Sequence, residues 1–106
     1  MALFLAEADV ERLLTMPLAL TAVEAVHRDL SSGQACDVPR QRTRLPQTTL
    51  HILQGAVPRL NAIGYKAYTS NRTGVRFLVY LYGASSGRLR AVIEADRLGM
   101  TRTAAA

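Results

Sequence analysis

The stretch VRFLVYLYGASSGRLRAVIE, residues 75–94, decides the fold class, because it reads as two strands joined by a tight turn. Residues 75–82 are apolar or aromatic at every position except Arg76. A strand that is apolar on both faces is typically central in a sheet and covered on both sides. The GASSG segment at 83–87 is typical of a hairpin turn, after which residues 88–94 return. The stretch therefore predicts a hairpin within a sheet.

Three segments upstream are predicted to be further strands of this sheet, because their side chains follow a pattern with a period of two. The segments 55–61 and 70–74 are rich in Gly, Pro, Asn, Ser and Thr, and they are predicted to be a loop and a turn. The predicted strands are residues 40–45 with an arginine at every second position, residues 48–53 after a turn at 46–47, and residues 63–69.

Helices are predicted at both ends of the chain. Residues 7–14 place acidic side chains in a first turn, where the helix dipole favours them. A second helix begins near Thr15, a good N-cap, and ends near Gly33. A third begins near Asp96 and is still in pattern at Ala106, so we expect further chain to follow it. The predicted fold class is α+β, with two N-terminal helices and a mostly antiparallel sheet of about five strands.

The composition indicates one globular domain and excludes several classes of protein. The chain has 106 residues, of which 49% are hydrophobic and 20% charged. No apolar run is long enough for a membrane span, and no basic leader suggests a signal peptide, so no membrane partner is expected. The single cysteine, Cys36, indicates the reducing cytoplasm. His27 and His51 lack the spacing of a zinc site, so no metal is expected.

Charge is distributed unevenly along the chain. Residues 1–37 hold six acidic and two basic side chains, whereas residues 38–106 hold two acidic and eleven basic ones. The basic half favours an anionic ligand. A surface for single-stranded nucleic acid would also be basic and aromatic, but most of these aromatic residues lie in the strand that reads as core. Since no nucleic-acid-binding motif is present either, no nucleic-acid partner is expected.

Four segments together resemble the N-terminal part of the ornithine cyclodeaminase / mu-crystallin family. They are EADVERLL with the helix after it, PRQRTRLP, IGYKAYT, and LVYLYGASSGRLRAVIEADRLGMTRTAAA, and they follow one another in the family's order. The most specific piece is the hairpin that ends in the acidic Glu94 and is followed by RTAAA, which is similar to the family's DG…RTAA signature.

The resemblance implies a two-domain α/β enzyme, of which this chain holds the incomplete substrate-binding and dimerisation domain. Residues 1–95 would belong to that domain, and residues 96–106 would start the helix that leads to a missing Rossmann domain for NAD or NADP. Family members cyclise and deaminate ornithine, reduce ketimines or pyrroline carboxylates, or dehydrogenate alanine, always at the α carbon. The family's catalytic aspartate and Gly-rich loop lie downstream, so the chain alone is expected to be inactive and its parent to be a homodimer.

The resemblance also implies three site residues. Arg42 in the RTxxP element and Lys66 on the next central strand would hold the carboxylate of a small amino acid or cyclic imine carboxylate. A guanidinium offers a two-pronged hydrogen-bond donor and an ammonium a point charge, which suits this role. Arg102, at the expected helix start in RTAA, would meet the phosphates of the dinucleotide. No catalytic residue is expected in this chain.

Several positions depart from the family pattern and leave the substrate open. The dipeptide 75–76 is Val-Arg where many members have His-Gln, and the tripeptide 53–55 is Leu-Gln-Gly where many have Met-Pro-Ala. At 94–95 the chain has Glu-Ala instead of Asp-Gly. We expect these changes to affect the choice of substrate more than the fold.

Each assignment has a structural alternative. Arg40, Arg42 and Arg44 could form the solvated face of an edge strand, and Arg40 and Arg44 are expected to do so. Lys66 could extend into solvent, and Arg102 could be an ordinary exposed helix residue. His27 is expected to be structural. His51 is expected to be structural as well, with a substrate contact as the alternative, because its strand could line the pocket. The chain could also be a non-catalytic dimerisation or small-ligand-binding module of the mu-crystallin type.

Overall fold

The computed structural model describes all 106 residues as three α-helices and one seven-stranded mixed sheet, which confirms the α+β class. No helix has both the length and the apolar character needed to cross a bilayer. The helices are α1 (Glu7–Leu13), α2 (Met16–Ser31) and α3 (Asp96–Ala105). The strands are β1 (Leu3–Leu5), β2 (Cys36–Arg44), β3 (Thr49–Val57), β4 (Ala62–Asn71), β5 (Gly74–Val75), β6 (Leu78–Gly83) and β7 (Leu89–Glu94).

The strands follow the order β1-β7-β6-β4-β3-β2, and the short β5 pairs with β4. All pairs are antiparallel except β1 and β7, which run parallel with Leu3 opposite Ala91. The strand β6 lies between β7 and β4, which confirms the central place predicted for the apolar stretch. The arginine-rich β2 is an edge strand, where Pro39 is tolerated because one side of the strand needs no ladder hydrogen bond.

The sheet has two strands more than the five predicted. The first, β1, has only three residues, which is too few for a periodic pattern, and its partner β7 lies at the other end of the chain. The second arises because the predicted strand 75–82 is divided at Arg76 and Phe77. The backbone N–H of Phe77 donates to the Asp96 carboxylate at 3.0 Å instead of continuing the ladder, so β5 and β6 are separate strands.

The predicted loop at 55–61 is wrong in its first half. Residues 55–57 continue β3, with Gly55 opposite Gly64 on β4, and a 3₁₀ turn covers only Pro58–Leu60. Glycine at 55 suits a strand here, because a Cβ atom would lie only 3.1 Å from the Cys36 carbonyl oxygen. Similarly, β4 continues through Asn71, into the region predicted as a turn.

The helix boundaries follow their local signals. The Thr15 hydroxyl accepts a hydrogen bond from the Leu18 N–H at 3.3 Å, which confirms the predicted N-cap of α2. At the other end, Gly33 adopts a left-handed backbone with φ +76°, and the Gln34 N–H donates to the Asp29 carbonyl at 2.7 Å. Both ends of α2 were therefore predictable from single residues.

Three carboxylates tie the two ends of the chain together, and we call Glu7, Glu94 and Asp96 the acidic clasp. Glu94 accepts from the Glu7 N–H at 3.0 Å, at the start of α1. The Glu7 carboxylate accepts from the N–H groups of Asp96 and Arg97, at 2.9 and 3.1 Å, at the start of α3. Because a helix N-terminus carries unpaired donors and a partial positive charge, carboxylates satisfy it well.

The domain is open, and its core is thin. The buried hydrophobic residues are small, namely Val10, Ala19, Ala91 and Ala95, and no large side chain is fully buried. The accessible surface is 7522 Å², whereas a compact monomer of this size exposes about 5,800 Å². The surplus of about 1,700 Å² is comparable to the area that protein interfaces cover.

Gly64→Ala is expected to lower the free energy of unfolding by about 1–3 kcal/mol, because the added carbon would collide with the Tyr80 carbonyl oxygen on β6. Gly99→Ala is the matched control, since nothing lies within 4 Å of a Cβ at this position in α3. That control is expected to stabilise the chain by about 0.5–1 kcal/mol. Urea unfolding followed by circular dichroism measures both variants, and equal effects would contradict the close strand approach at Gly64.

Candidate functional site

One face of the sheet brings two of the predicted site residues together. Lys66 and Tyr68 alternate along β4 and therefore point to the same side. Tyr68 lies opposite His51 on β3, and His51 lies opposite Arg42 on β2. Because directly opposed residues share a face, Arg42 and Lys66 stand on the same face with one strand between theirs.

The Lys66 ammonium lies against two aromatic rings. Its Nζ atom is 5.1 Å from the centroid of the Phe77 ring and 5.8 Å from that of Tyr68. Both distances lie within the range of a cation–π contact, and the two rings contact each other at 4.5 Å. The half-buried Lys66 is therefore held beside the sheet and does not extend into solvent. Phe77 was not predicted to belong to this site.

No carboxylate balances the charge of Lys66. Partial burial lowers the pKa of Lys66 below its ordinary value of 10.5, and the positive charges of Arg40 and Arg102 lower this pKa further. A partly buried ammonium among other cations favours an anionic ligand. The ion pairs of the chain are all made by other residues: Arg12–Asp9, Arg28–Glu24, Arg59–Asp29 and Arg97–Glu11.

An open cavity of about 460 Å³ lies between α2, α3 and the strands β3, β4 and β6. Most of its lining is apolar, including Leu53 and Val79, which flank Lys66 in the sheet register. Lys66 and Arg102 supply positive charge to the cavity, and Asp37 is the one carboxylate in its lining. A cavity of this size with a few polar groups suits a small organic molecule.

His51 connects Arg42 to a neighbouring strand. The Arg42 Nε–H donates to His51 Nδ1 at 3.3 Å, and His51 Nε2 lies 2.9 Å from the Ser70 hydroxyl oxygen. The imidazole also stacks on the Tyr68 ring, with a centroid distance of 4.3 Å and an interplanar angle of 7°. His51 had been expected to be structural, with a substrate contact as the alternative, and its position between Arg42 and Tyr68 appears only once the strand register is known.

The predicted start of the third helix near Asp96 is confirmed, whereas the position of Arg102 at a helix start, which the resemblance implied, is wrong. The helix α3 begins at Asp96, so Arg102 lies in its last turn, and the first-turn amides of α3 are occupied by Glu7. The acidic clasp sets the helix start six residues before the RTAA segment. The Arg102 side chain is exposed and makes no ion pair, so helix amides and Arg102 do not form one anion site.

The remaining candidates lie apart from Lys66 or on the open surface. Arg40, Arg44 and Arg76 are exposed and make no ion pair, and Cys36 is an exposed free thiol. No group of three or more His, Cys, Asp or Glu side chains is placed to hold a metal ion.

The chain matches no protein-family model and no curated protein sequence. Its structure is similar to that of a probable ornithine cyclodeaminase from Bordetella pertussis Tohama I, with a TM-score of 0.94 and 30% identity over 99% of this chain and 34% of that chain. An archaeal alanine dehydrogenase dimer with bound NAD gives a TM-score of 0.90 and 25% identity, over 98% and 34% of the two chains.

The resemblance to the ornithine cyclodeaminase family is confirmed. The iminosuccinate reductase of Paracoccus denitrificans in complex with NAD+ shares the fold as well, with a TM-score of 0.92 and 24% identity over 98% of this chain and 35% of that chain. This ornithine cyclodeaminase-like chain spans about a third of the length of the solved structures that it matches.

Lys66→Met is expected to raise the free energy of unfolding by about 1 kcal/mol at neutral pH, because it removes a partly buried charge that has no counter-ion. Lys66 loses its proton at a lower pH in the folded chain than in the unfolded one. The free-energy cost of burying the charged ammonium therefore disappears as the pH rises towards 10.5. The difference in the free energy of unfolding between Lys66→Met and the wild type should then become smaller. Thermal unfolding at several pH values measures this.

Arg12→Met is the control for this variant, since Arg12 is exposed on α1 and makes only a surface ion pair with Asp9. It should change stability by less than about 0.5 kcal/mol. A loss of stability on Lys66→Met, constant across pH, would show that the ammonium is well accommodated without an anion.

Proposed function

We propose that this chain is the N-terminal substrate-binding part of an NAD(P)-dependent enzyme that acts at the α carbon of a small amino acid or cyclic imine carboxylate. The reaction is a deaminating cyclisation or the reduction of an imine. The observation that carries this proposal is the unpaired, half-buried ammonium of Lys66, on the same sheet face as Arg42. The similarity to a probable ornithine cyclodeaminase and to an alanine dehydrogenase supports the reaction class.

Arg42 and Lys66 divide the binding of the carboxylate between them. The guanidinium of Arg42 offers two parallel N–H donors, which match the two oxygens of a carboxylate. Lys66 adds a point charge whose attraction is strengthened by the surrounding apolar and aromatic groups. A carboxylate held at two points has a defined orientation, and its α carbon can then be aimed at a hydride donor or acceptor.

The cofactor in this proposal is NAD or NADP, which accepts or supplies the hydride when it is bound. This chain contains no G-x-G-x-x-G loop, so the pyrophosphate would be held by residues outside 1–106. Residues 1–95 form the substrate domain in this proposal, and residues 96–106 lead towards the cofactor domain. Arg102 is exposed and free of carboxylates, which fits a contact with a dinucleotide phosphate.

In the complete protein that contains this chain, Arg42→Met and Lys66→Met are each expected to lower kcat/KM by about 10²–10³-fold, because each removes one charged contact to the substrate. The assays follow oxidation of NADH or NADPH with pyrroline-2-carboxylate, reduction of NAD or NADP with L-alanine, and release of ammonia from L-ornithine in the presence of NAD or NADP, because deaminating cyclisation returns the hydride to the product and leaves no net reduced cofactor. Arg12→Met should leave activity unchanged, and residues 1–106 alone should be inactive. A complete protein that neither binds the cofactor nor acts on these compounds would contradict the proposal.

A non-catalytic module of the mu-crystallin type remains the second candidate, and the open apolar surface of the domain is what favours it. It predicts a complete protein that binds the small carboxylates without converting them. The same two substitutions would then abolish binding, while no turnover would be seen with any of the three compounds.

We further propose that the chain forms a homodimer through the sheet face opposite Lys66. On this face Tyr65 stacks on Tyr80 at 4.8 Å, Tyr82 lies 6.3 Å from Tyr65, and Ile63 keeps 46% of its surface exposed. Aromatic residues of this kind are enriched in interfaces. The surplus surface of about 1,700 Å² is large enough for such a contact, and the archaeal alanine dehydrogenase is itself a dimer.

Ile63→Glu is expected to convert the dimer into a monomer, because a buried unpaired carboxylate in the interface would be costly. Sedimentation equilibrium at about 50 μM gives the mass of each form. Leu13→Glu is the control, since Leu13 is 56% exposed on α1, away from this sheet face. A wild-type chain that sediments as a monomer would contradict the dimer.

A further inference from the structure

The side chain of Arg42 is held by a series of hydrogen bonds that we call the histidine bridge, made of Arg42, His51 and Ser70. The Arg42 Nε–H donates to His51 Nδ1 at 3.3 Å, and His51 Nε2 lies 2.9 Å from Ser70 Oγ. These residues stand on three adjacent strands, β2, β3 and β4. The bridge therefore spans the sheet beside the proposed carboxylate site.

Only one tautomer of His51 satisfies the bridge. A guanidinium has N–H groups and no acceptor, so Nδ1 must present its lone pair to Arg42. In the neutral imidazole the proton then lies on Nε2, from which it is donated to the Ser70 hydroxyl. The stacked Tyr68 ring, at 4.3 Å and 7°, keeps the imidazole in the plane that both contacts require.

The bridge also determines which N–H groups of Arg42 remain available. Since Nε is engaged by His51, the two terminal nitrogens, Nη1 and Nη2, are left to bind a ligand. Arg42 is exposed and has no carboxylate partner, so this end-on pair of donors is free. A carboxylate would bind across the two Nη atoms, and its direction would be set by the plane of the guanidinium.

We propose that His51 is a positioning residue, which holds the Arg42 guanidinium so that its two terminal nitrogens face the substrate carboxylate. This inference rests on the proposed function, in which Arg42 binds that carboxylate. His51 itself does not touch the substrate. The N–H of Arg42 requires the tautomer whose proton lies on Nε2, the Ser70 hydroxyl accepts that proton in a hydrogen bond, and the Tyr68 ring fixes the orientation of the imidazole.

The charges around His51 keep the bridge intact at neutral pH. Partial burial lowers the pKa of His51 below 6.5, and the charges of Arg42, Arg40 and Arg44 on β2 lower it further. From β4, Tyr68 lies against the ring and Lys66 follows beyond Tyr68. Protonation would place a second N–H on Nδ1, facing the Arg42 Nε–H, and would break the bridge.

The affinity for an anion at acidic pH distinguishes between two possible roles of His51. If His51 acted only through its charge, its protonation would strengthen the binding of an anion. If His51 positions Arg42, protonation must weaken binding, because two donors then face each other. Pyruvate is the probe, since this small 2-oxo acid carries a carboxylate that stays ionised between about pH 5 and 8.

The experiment measures pyruvate affinity by NMR titration of the 106-residue chain between about pH 5 and 8, with the side-chain nitrogen signals of His51 followed in parallel. We expect affinity to fall as His51 becomes protonated. His51→Phe keeps the stacked ring without the hydrogen bonds and should weaken binding about tenfold at neutral pH. His51→Gln can still accept from Arg42, so it should stay within about threefold of the wild type and lose the acid dependence.

Two further variants separate this inference from the function on which it rests. Arg42→Met should abolish pyruvate binding, and unchanged binding in that variant would overturn both proposals. Arg12→Met, on the exposed surface of α1, should change nothing. If Arg42→Met loses binding while His51→Phe and acidification have no weakening effect, the role of His51 is overturned and the carboxylate site stands. Should His51→Phe fail to fold, His51→Gln and the wild-type pH profile decide alone.

Discussion

The carboxylate of Glu7 accepts hydrogen bonds from the first amides of α3, and the carboxylate of Glu94 does the same for the start of α1. With Asp96 bound to the Phe77 N–H, this acidic clasp joins the first helix, the last helix and the neighbouring strands β6 and β7. The contacts join positions that are far apart in sequence. The direction of α3, and hence the approach of Arg102 to the cavity of Lys66, depends on them.

The large exposed apolar surface of the domain affects both its stability and its cavity. Hydrophobic residues make up 49% of the chain, yet the few buried ones are small, so much of the apolar surface faces solvent. A domain with this little burial retains only a small margin of stability on its own. The cavity between α2, α3 and the sheet is open for the same reason, which suits a site that a second domain or a second copy would complete.

The candidate site concentrates positive charge without balancing it. Lys66 is partly buried against Phe77 and Tyr68. Burial lowers the pKa of Lys66, and the positive charges of Arg40 and Arg102 lower this pKa further. Such an arrangement costs stability in the free domain, and an anionic ligand relieves that cost on binding. Most acidic residues of the chain are used elsewhere, in helix caps and in surface ion pairs, and Asp37 is the one carboxylate in the cavity lining. The unbalanced positive charge that favours an anionic ligand therefore lowers the stability of the free domain.

Local signals in the sequence determined the helix ends at Thr15 and Gly33, the central place of residues 78–83, and the resemblance carried by the Arg42 and Lys66 segments. Each depends on a few neighbouring residues, whose caps and periodicity act at short range. Only the tertiary structure decided that β1 pairs with β7, that the Glu7 carboxylate caps α3, and that His51 bridges Arg42 and Ser70. These features depend on strand register and on contacts between distant segments, and neither leaves a pattern within a single stretch of the chain.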